Sequence, residues 1–316
     1  MSPSYLDSSS REDRLSGGSR RIPIDTPSGR FEVWTKRTGN NPTLRLLLLH
    51  GGPGSTHEYF EAADGWLPEA GVEYYYYDQL GSGWSDVPVD ESLWELDRFV
   101  DEVEQVRAAL GLERDSFVLL GHSWGGILAA EYALAHGEHL KGLVISNMMM
   151  DVQAYNAYAR DVLMPAMDQQ ALAEIQALEA SGDYEAPRFM ELLMEHYYVQ
   201  HILRMPGNDW PDPARRGFDH LNSAIYVKMQ GPSEMGIAPS ATLAGWSRFA
   251  DLGRIQVPAL VIGAAHDTMD PAHMRQVARR LPQGTYLHCP NGGHMAMYDD
   301  QETYFRGLIG WLKALA

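Results

Sequence analysis

Phe117-Val118-Leu119-Leu120-Gly121-His122-Ser123-Trp124-Gly125-Gly126-Ile127-Leu128-Ala129-Ala130-Glu131-Tyr132-Ala133-Leu134 decides the fold. An apolar run of strand length stops at a glycine, presents one serine with glycine two residues to either side, and resumes as an alanine-rich run of helical character. Strand, sharp turn and helix in that order are the setting of a nucleophile elbow. The serine backbone there is strained, and a side chain at Gly121 or Gly125 would collide with the neighbouring strand and helix. Gly-x-Ser-x-Gly alone occurs by chance in ordinary loops; the flanking strand and helix set this copy apart. Ser123 is therefore the candidate nucleophile, and the N–H of Trp124 a candidate donor to an oxyanion.

Working outward, residues 44–49 are almost wholly apolar, as in a central strand covered on both faces. They run into His50-Gly51-Gly52-Pro53-Gly54, a turn whose backbone N–H groups can approach a ligand unobstructed, and Gly52 is assigned as the other oxyanion donor. Residues 72–77 read as another buried strand, ending in Asp78-Gln79-Leu80-Gly81-Ser82-Gly83-Trp84-Ser85, a loop over the same rim. Leu96, Phe99, Val100, Val103, Val106 and Leu110 recur at helical steps just before the elbow strand. Alternation around Pro27-Ser28-Gly29 predicts a half-exposed antiparallel hairpin at a sheet edge. Further strands are read at residues 140–145, 258–263 and 285–289.

Strands separated by helices predict an α/β fold with a doubly wound, mostly parallel sheet. Residues 148–251 hold no clear buried strand, only helical runs such as 169–179 and 188–203, rich in Met, Tyr and His. They are expected to form a helical cap above the serine that selects substrates and excludes water. The expected organisation is a disordered tail over 1–20, a catalytic domain over 21–147 and 252–316, and the cap over 148–251.

Beyond the cap, an acid and a histidine follow the serine in the order this architecture uses: Ser123, Asp267, His294. Asp267 lies in Gly263-Ala264-Ala265-His266-Asp267-Thr268-Met269-Asp270-Pro271, just past a buried strand, where a carboxylate can fix an imidazole tautomer. Asp270 is the rival acid, but its place before Pro271 suits turn chemistry. His294 occupies the loop Pro290-Asn291-Gly292-Gly293-His294-Met295. A regular elbow would point His122 away from the working side of the serine, and His266 and His288 only precede or flank the expected slots.

A net charge of −17 repels phosphate backbones and anionic lipid, so neither nucleic acid nor membrane is an expected partner. No apolar run is long enough to span a bilayer, the lone Cys289 cannot form an internal disulfide, and residues 1–20 carry no apolar signal core; the cytoplasm is expected. Without His-Glu-x-x-His, Cys-x-x-Cys or Gly-x-x-x-x-Gly-Lys, no metal or nucleotide cofactor is expected either.

Together, His50-Gly51-Gly52-Pro53-Gly54, Tyr77-Asp78-Gln79-Leu80-Gly81-Ser82-Gly83-Trp84-Ser85 and Gly121-His122-Ser123-Trp124-Gly125-Gly126 resemble the proline iminopeptidase family of α/β-hydrolases. Gly231-Pro232-Ser233-Glu234 resembles a cap segment of its tricorn-interacting aminopeptidases and amino-acid amidases. The resemblance covers residues 22–315 and implies a metal-free serine hydrolase that releases an N-terminal residue, often proline, from peptides or amino-acid amides through an acyl-enzyme. It implies Ser123, Asp267 and His294 as the triad, Gly52 and Trp124 as oxyanion donors, and Glu234 as the carboxylate that binds the substrate α-ammonium. Relatives commonly carry a second glutamate directly after the catalytic aspartate. Here that position is Thr268, so one amine anchor is missing or supplied elsewhere. The alternatives are a carboxylesterase or lactonase acting on a neutral substrate with the same triad, and a binding protein with vestigial turnover.

Overall fold

Eight strands form one sheet in the order β1-β2-β4-β3-β5-β6-β7-β8. In the computed structural model, which describes residues 3–315, they are β1 Ser19–Thr26, β2 Gly29–Thr38, β3 Arg45–Leu49, β4 Glu73–Asp78, β5 Phe117–His122, β6 Gly142–Ser146, β7 Ala259–Ala264 and β8 Gly284–Cys289. β1 and β2 are the antiparallel hairpin, β2 joins β4 antiparallel, and β4 through β8 run parallel. Pro23 is accommodated in β1 because that strand is at the sheet edge and one face of its backbone needs no ladder partner.

Both faces of the sheet are covered, which is why its central strands read as continuous apolar runs. On one face, Leu47, Leu49, Tyr75 and Leu119 pack with Phe99, Val103 and Val106 of helix Leu96–Leu110 and with Ile127 and Leu128 of helix Trp124–His136. On the other, Leu46, Leu48, Tyr74, Val118 and Leu120 meet Tyr304, Phe305, Leu308 and Leu312 of helix Gln301–Ala314. Register then aligns the carboxyl ends of the parallel strands on one rim: Leu49 lies opposite Gly121, His122 opposite Ser146, and Ala264 opposite Cys289. Ser123 leaves that rim directly, and the loops carrying Asp267 and His294 leave it from β7 and β8.

Between β6 and β7 the chain is helical, with helices Val152–Tyr158, Gln169–Ser181, Pro187–Leu193, Asp212–Asp219 and Ser223–Met229. Met167, Leu172, Ile175, Phe189 and Tyr197 from this insertion join the second core cluster, so it is packed onto the sheet domain through apolar side chains. Its long runs are interrupted by the wider π turns Ala159–Leu163 and Met194–Tyr198.

The expected disordered tail is corrected over its described part; residues 1 and 2 lie outside the described residues. Tyr5 is buried and donates to the Val72 carbonyl at 2.8 Å, Arg11 pairs with the buried Glu73, and Arg37 holds Asp13 at 2.8 Å. The segment is polar by composition, but Arg11 and Asp13 have partners on β4 and β2, and Tyr5 one just before β4, that local composition does not reveal.

Candidate active site

The backbone of Ser123 takes φ 56° and ψ −129°, a sparsely populated region for a residue with a Cβ. The turn is sustained by crowding that tolerates no alternative. A Cβ on Gly121 would sit 1.8 Å from the Gly125 carbonyl oxygen, and one on Gly125 would sit 2.1 Å from that of Leu49. The Ser123 amide donates to the Ser146 carbonyl at 3.0 Å, tying the elbow to β6.

His294 and Asp267 meet at 2.8 Å, Nδ1 to Oδ1. The aspartate is wholly buried and surrounded by donors: Asn147 Nδ2 reaches Oδ2 at 2.7 Å, while the Met269 amide and Thr268 Oγ1 reach Oδ1 at 3.2 and 3.3 Å. This pins the carboxylate with one oxygen for the imidazole. Burial, the largest influence on His294, pulls its pKa down. The charge and hydrogen bond of Asp267, with Glu234 beyond, more than offset that, so the pKa lies above the ordinary 6.5. The other ring nitrogen, Nε2, is buried and has no hydrogen-bond partner among the described residues. Asp270 is elsewhere in purpose: its Oδ1 accepts from the Ala272 amide at 2.8 Å and caps helix Pro271–Arg280, with proline at the first helical turn.

Gly51 passes so close to Ser123 that a Cβ there would lie 2.8 Å from Ser123 Cβ. Its N–H is already committed, donating to Tyr59 Oη at 2.7 Å. The N–H of Gly52 has no acceptor among the described residues, and Trp124, first in its helix, has no carbonyl four residues back within that helix. The Asp78–Ser85 loop braces this arrangement. Gln79 donates to the His50 carbonyl at 2.9 Å and accepts from the Trp124 indole at 2.9 Å, so one side chain links the glycine turn to the elbow.

A cavity of about 530 Å³ opens over these groups, lined by Gly52, Ser123 and His294 below and by Phe218, Tyr226 and Glu234 of the insertion above. Its volume suits a small ligand. Glu234 is not a solvated surface side chain. Tyr226 Oη donates to its Oε1 at 2.7 Å, Tyr155 and Tyr197 donate to its carbonyl at 2.8 and 3.4 Å, and its amide donates to Tyr198 Oη at 3.4 Å. Four tyrosines of the insertion thus hold one residue, Tyr226 through its carboxylate and the other three through its backbone. Oε2 has no protein partner among the described residues. Burial raises the Glu234 pKa above its ordinary 4.5, against the lowering influence of His294 and Tyr226. Glu91 and Glu185 also line the cavity, whereas Thr268 is buried beside Asp267 and puts no second carboxylate there.

Asn147, Tyr59 and His122 were not legible as site residues. Asn147 takes a positive φ of 52° just past β6 and orients Asp267; its one sequence signal is a polar Ser-Asn pair ending an apolar strand at the carboxyl rim. The expectation that His122 points away from the working side is corrected: its ring centroid lies 4.9 Å from that of His294, and its Nε2 meets the His294 carbonyl at 2.9 Å. His266 and His288 lie apart from the cavity lining. Among the described residues the grouping that could ligate a cation, Glu104 with His136 and His139, also lies off the cavity, and its glutamate is already bound by Arg107 and Tyr132. No helix among the described residues is long and apolar enough to cross a membrane.

Residues 45–301 match the family described as alpha/beta hydrolase fold. The chain is 51% identical over 292 residues to a proline iminopeptidase of Elizabethkingia meningoseptica, covering 92% of this chain and 97% of that protein. It is equally 51% identical over 292 residues to one of Flavobacterium johnsoniae, with the same coverage. The crystal structure of a Mycobacterium smegmatis proline iminopeptidase superimposes with a TM-score of 0.79 at 28% identity, covering 94% of this chain and 98% of that one.

Proposed function

We propose that this chain, which belongs to the proline iminopeptidase family of α/β-hydrolases, releases an N-terminal proline or other small apolar residue from short peptides and amino-acid amides through an acyl-enzyme on Ser123. The observation that carries the reading is the enclosed carboxylate of Glu234, one oxygen held by Tyr226 and the other unpartnered, in the cavity shared with Ser123 and His294. A protonated amine bound there presents the adjoining carbonyl to the serine. In the mechanism that follows, His294 Nε2 takes the Ser123 proton as Oγ attacks, and Asp267 stabilises the imidazolium. The N–H groups of Gly52 and Trp124 receive the developing oxyanion, each contributing about 3–4 kcal/mol to barrier lowering by analogy with other such donors. His294 returns the proton to the leaving amine, and water repeats the cycle to free the amino acid. The one cysteine is buried and unpaired, which fits a reducing cytoplasm.

Glu234→Gln keeps the shape and removes the charge. A hydrogen bond to a charged partner is worth about 1.5–3 kcal/mol, so kcat/KM on a prolyl arylamide is expected to fall roughly 10- to 150-fold. Turnover of 4-nitrophenyl acetate, which has no amine, should barely change. The ratio of the two effects is the measurement. Equal reaction of free and N-acetylated substrates, or equal loss on both, would instead favour the carboxylesterase or lactonase reading.

The pH profile gives a further test. His294 acts as base only when neutral, and its pKa is raised, so kcat/KM is lost as pH falls through a value above 6.5. The acid limb measured with the uncharged ester should have its midpoint on the alkaline side of 6.5. A midpoint below that would contradict the pairing of His294 with Asp267.

A further inference from the structure

Tyr59 and His122 play no part in the chemistry above, yet both are buried between its two halves. Gly51 N–H can only donate, so Tyr59 Oη accepts from it at 2.7 Å. The His294 carbonyl can only accept, so His122 Nε2 carries the proton directed at it, at 2.9 Å. Burial pushes the His122 imidazole down to about 3, helped by repulsion from His294, so the ring is neutral and Nδ1 is an acceptor. The remaining bond, 3.1 Å between Tyr59 Oη and His122 Nδ1, therefore has the phenol as donor. Every donor and acceptor is used once and each direction is forced.

We infer that Gly51 N–H, Tyr59, His122 and the His294 carbonyl form one directed chain that locks the oxyanion loop to the loop of the catalytic base, making Tyr59 and His122 positioning residues. The inference rests on the assignment of Gly52, Ser123 and His294 in the preceding section. The peptide fixed at one end is the one before Gly52; the residue fixed at the other is His294 itself, whose ring also packs on that of His122 at a 4.9 Å centroid separation. A neutral His122 further spares the imidazolium formed on His294 a second positive charge beside it. Tyr59 and His122 also line the cavity, but the polar groups of the chain are committed to one another and offer no hydrogen bond to a substrate, so its loss acts on the transition state more than on ground-state binding.

Tyr59→Phe deletes one oxygen and orphans two buried groups. It is expected to lower kcat by roughly 10- to 100-fold on both a prolyl arylamide and 4-nitrophenyl acetate, with KM changed less than about threefold. Affinity for prolinal, whose hemiacetal with Ser123 places an oxyanion in the hole, should fall in parallel, while that for prolinol should not. His122→Leu should resemble Tyr59→Phe. His122→Gln should recover most of the activity, since its amide oxygen can accept from Tyr59 while its NH2 donates to the His294 carbonyl. The inference is overturned if Tyr59→Phe stays within twofold of wild type, if glutamine is no better than leucine, or if the loss merely follows the folded fraction measured by thermal melting at the assay temperature. The acetate ester needs the serine, base and oxyanion donors but not Glu234. A wild type that cleaves it and not the arylamide would count against the aminopeptidase reading, and the chain would still be tested on the ester.

Discussion

Ser123→Ala is expected to fold normally and to lose turnover by about four to six orders of magnitude, the scale seen when a covalent nucleophile is removed. The change deletes only Oγ. Alanine carries the same Cβ, so the strain at φ 56° is unchanged, and the Ser123 amide still donates to the Ser146 carbonyl. His294 retains Asp267, and the groups proposed to bind and polarise the substrate, Gly52, Trp124 and Glu234, are left in place. The residual rate is then that of water attacking a well-held carbonyl. Thermal melting should place the variant close to wild type, and a serine-directed phosphonate should label wild type only. Activity within tenfold of wild type, or undiminished labelling, would remove Ser123 from its role.

What was legible in the sequence follows from range of interaction. Strands β3 to β7 announce themselves because both faces are buried, so Leu46 to Leu49 and Phe117 to Leu120 need no alternation. The elbow is legible because part of its constraint is local, Gly121 being close-packed against the backbone of Gly125 and Gly126, although Gly125 is crowded by Leu49 and His50 of the neighbouring strand and turn. The helical character of the insertion was legible, but not its π turns at Ala159–Leu163 and Met194–Tyr198. Asn147 orients an aspartate 120 residues away, and His122 meets a carbonyl 172 residues away. Neither partnership has a local signature. Residues 1–20 read as a disordered tail because Glu73 and Arg37, which bind Arg11 and Asp13, come from strands elsewhere in the sequence. Glu234 stood out through family resemblance alone; its four tyrosine contacts come from three separate stretches of the insertion.

Asp267→Asn is expected to lower kcat on the order of 10⁴-fold, and Asp270→Asn to change it little. At position 267, four donors converge: His294 Nδ1, the Met269 amide, Asn147 Nδ2 and Thr268 Oγ1. A carboxylate accepts them all, whereas an amide has one acceptor oxygen. With its NH2 toward His294, asparagine donates to Nδ1, moves the ring proton to Nε2 and leaves no base facing Ser123. With its NH2 toward Asn147, two donors oppose each other, and the imidazolium has lost its counter-charge even if Asn147 turns over. Both orientations disable the base by different routes. Burial then acts on His294 with its largest opposing charge removed, so the pKa drops and the acid limb of any residual activity moves to lower pH. Asp270 lies on the same loop but serves as a helix cap for the Ala272 amide, a task asparagine performs about equally well. The comparison needs both variants assayed on one substrate across pH, with melting temperatures to show that each is folded. A larger loss at Asp270 than at Asp267, or an acid limb that stays in place in Asp267→Asn, would mean that the carboxylate 2.8 Å from His294 is not what sets its proton affinity.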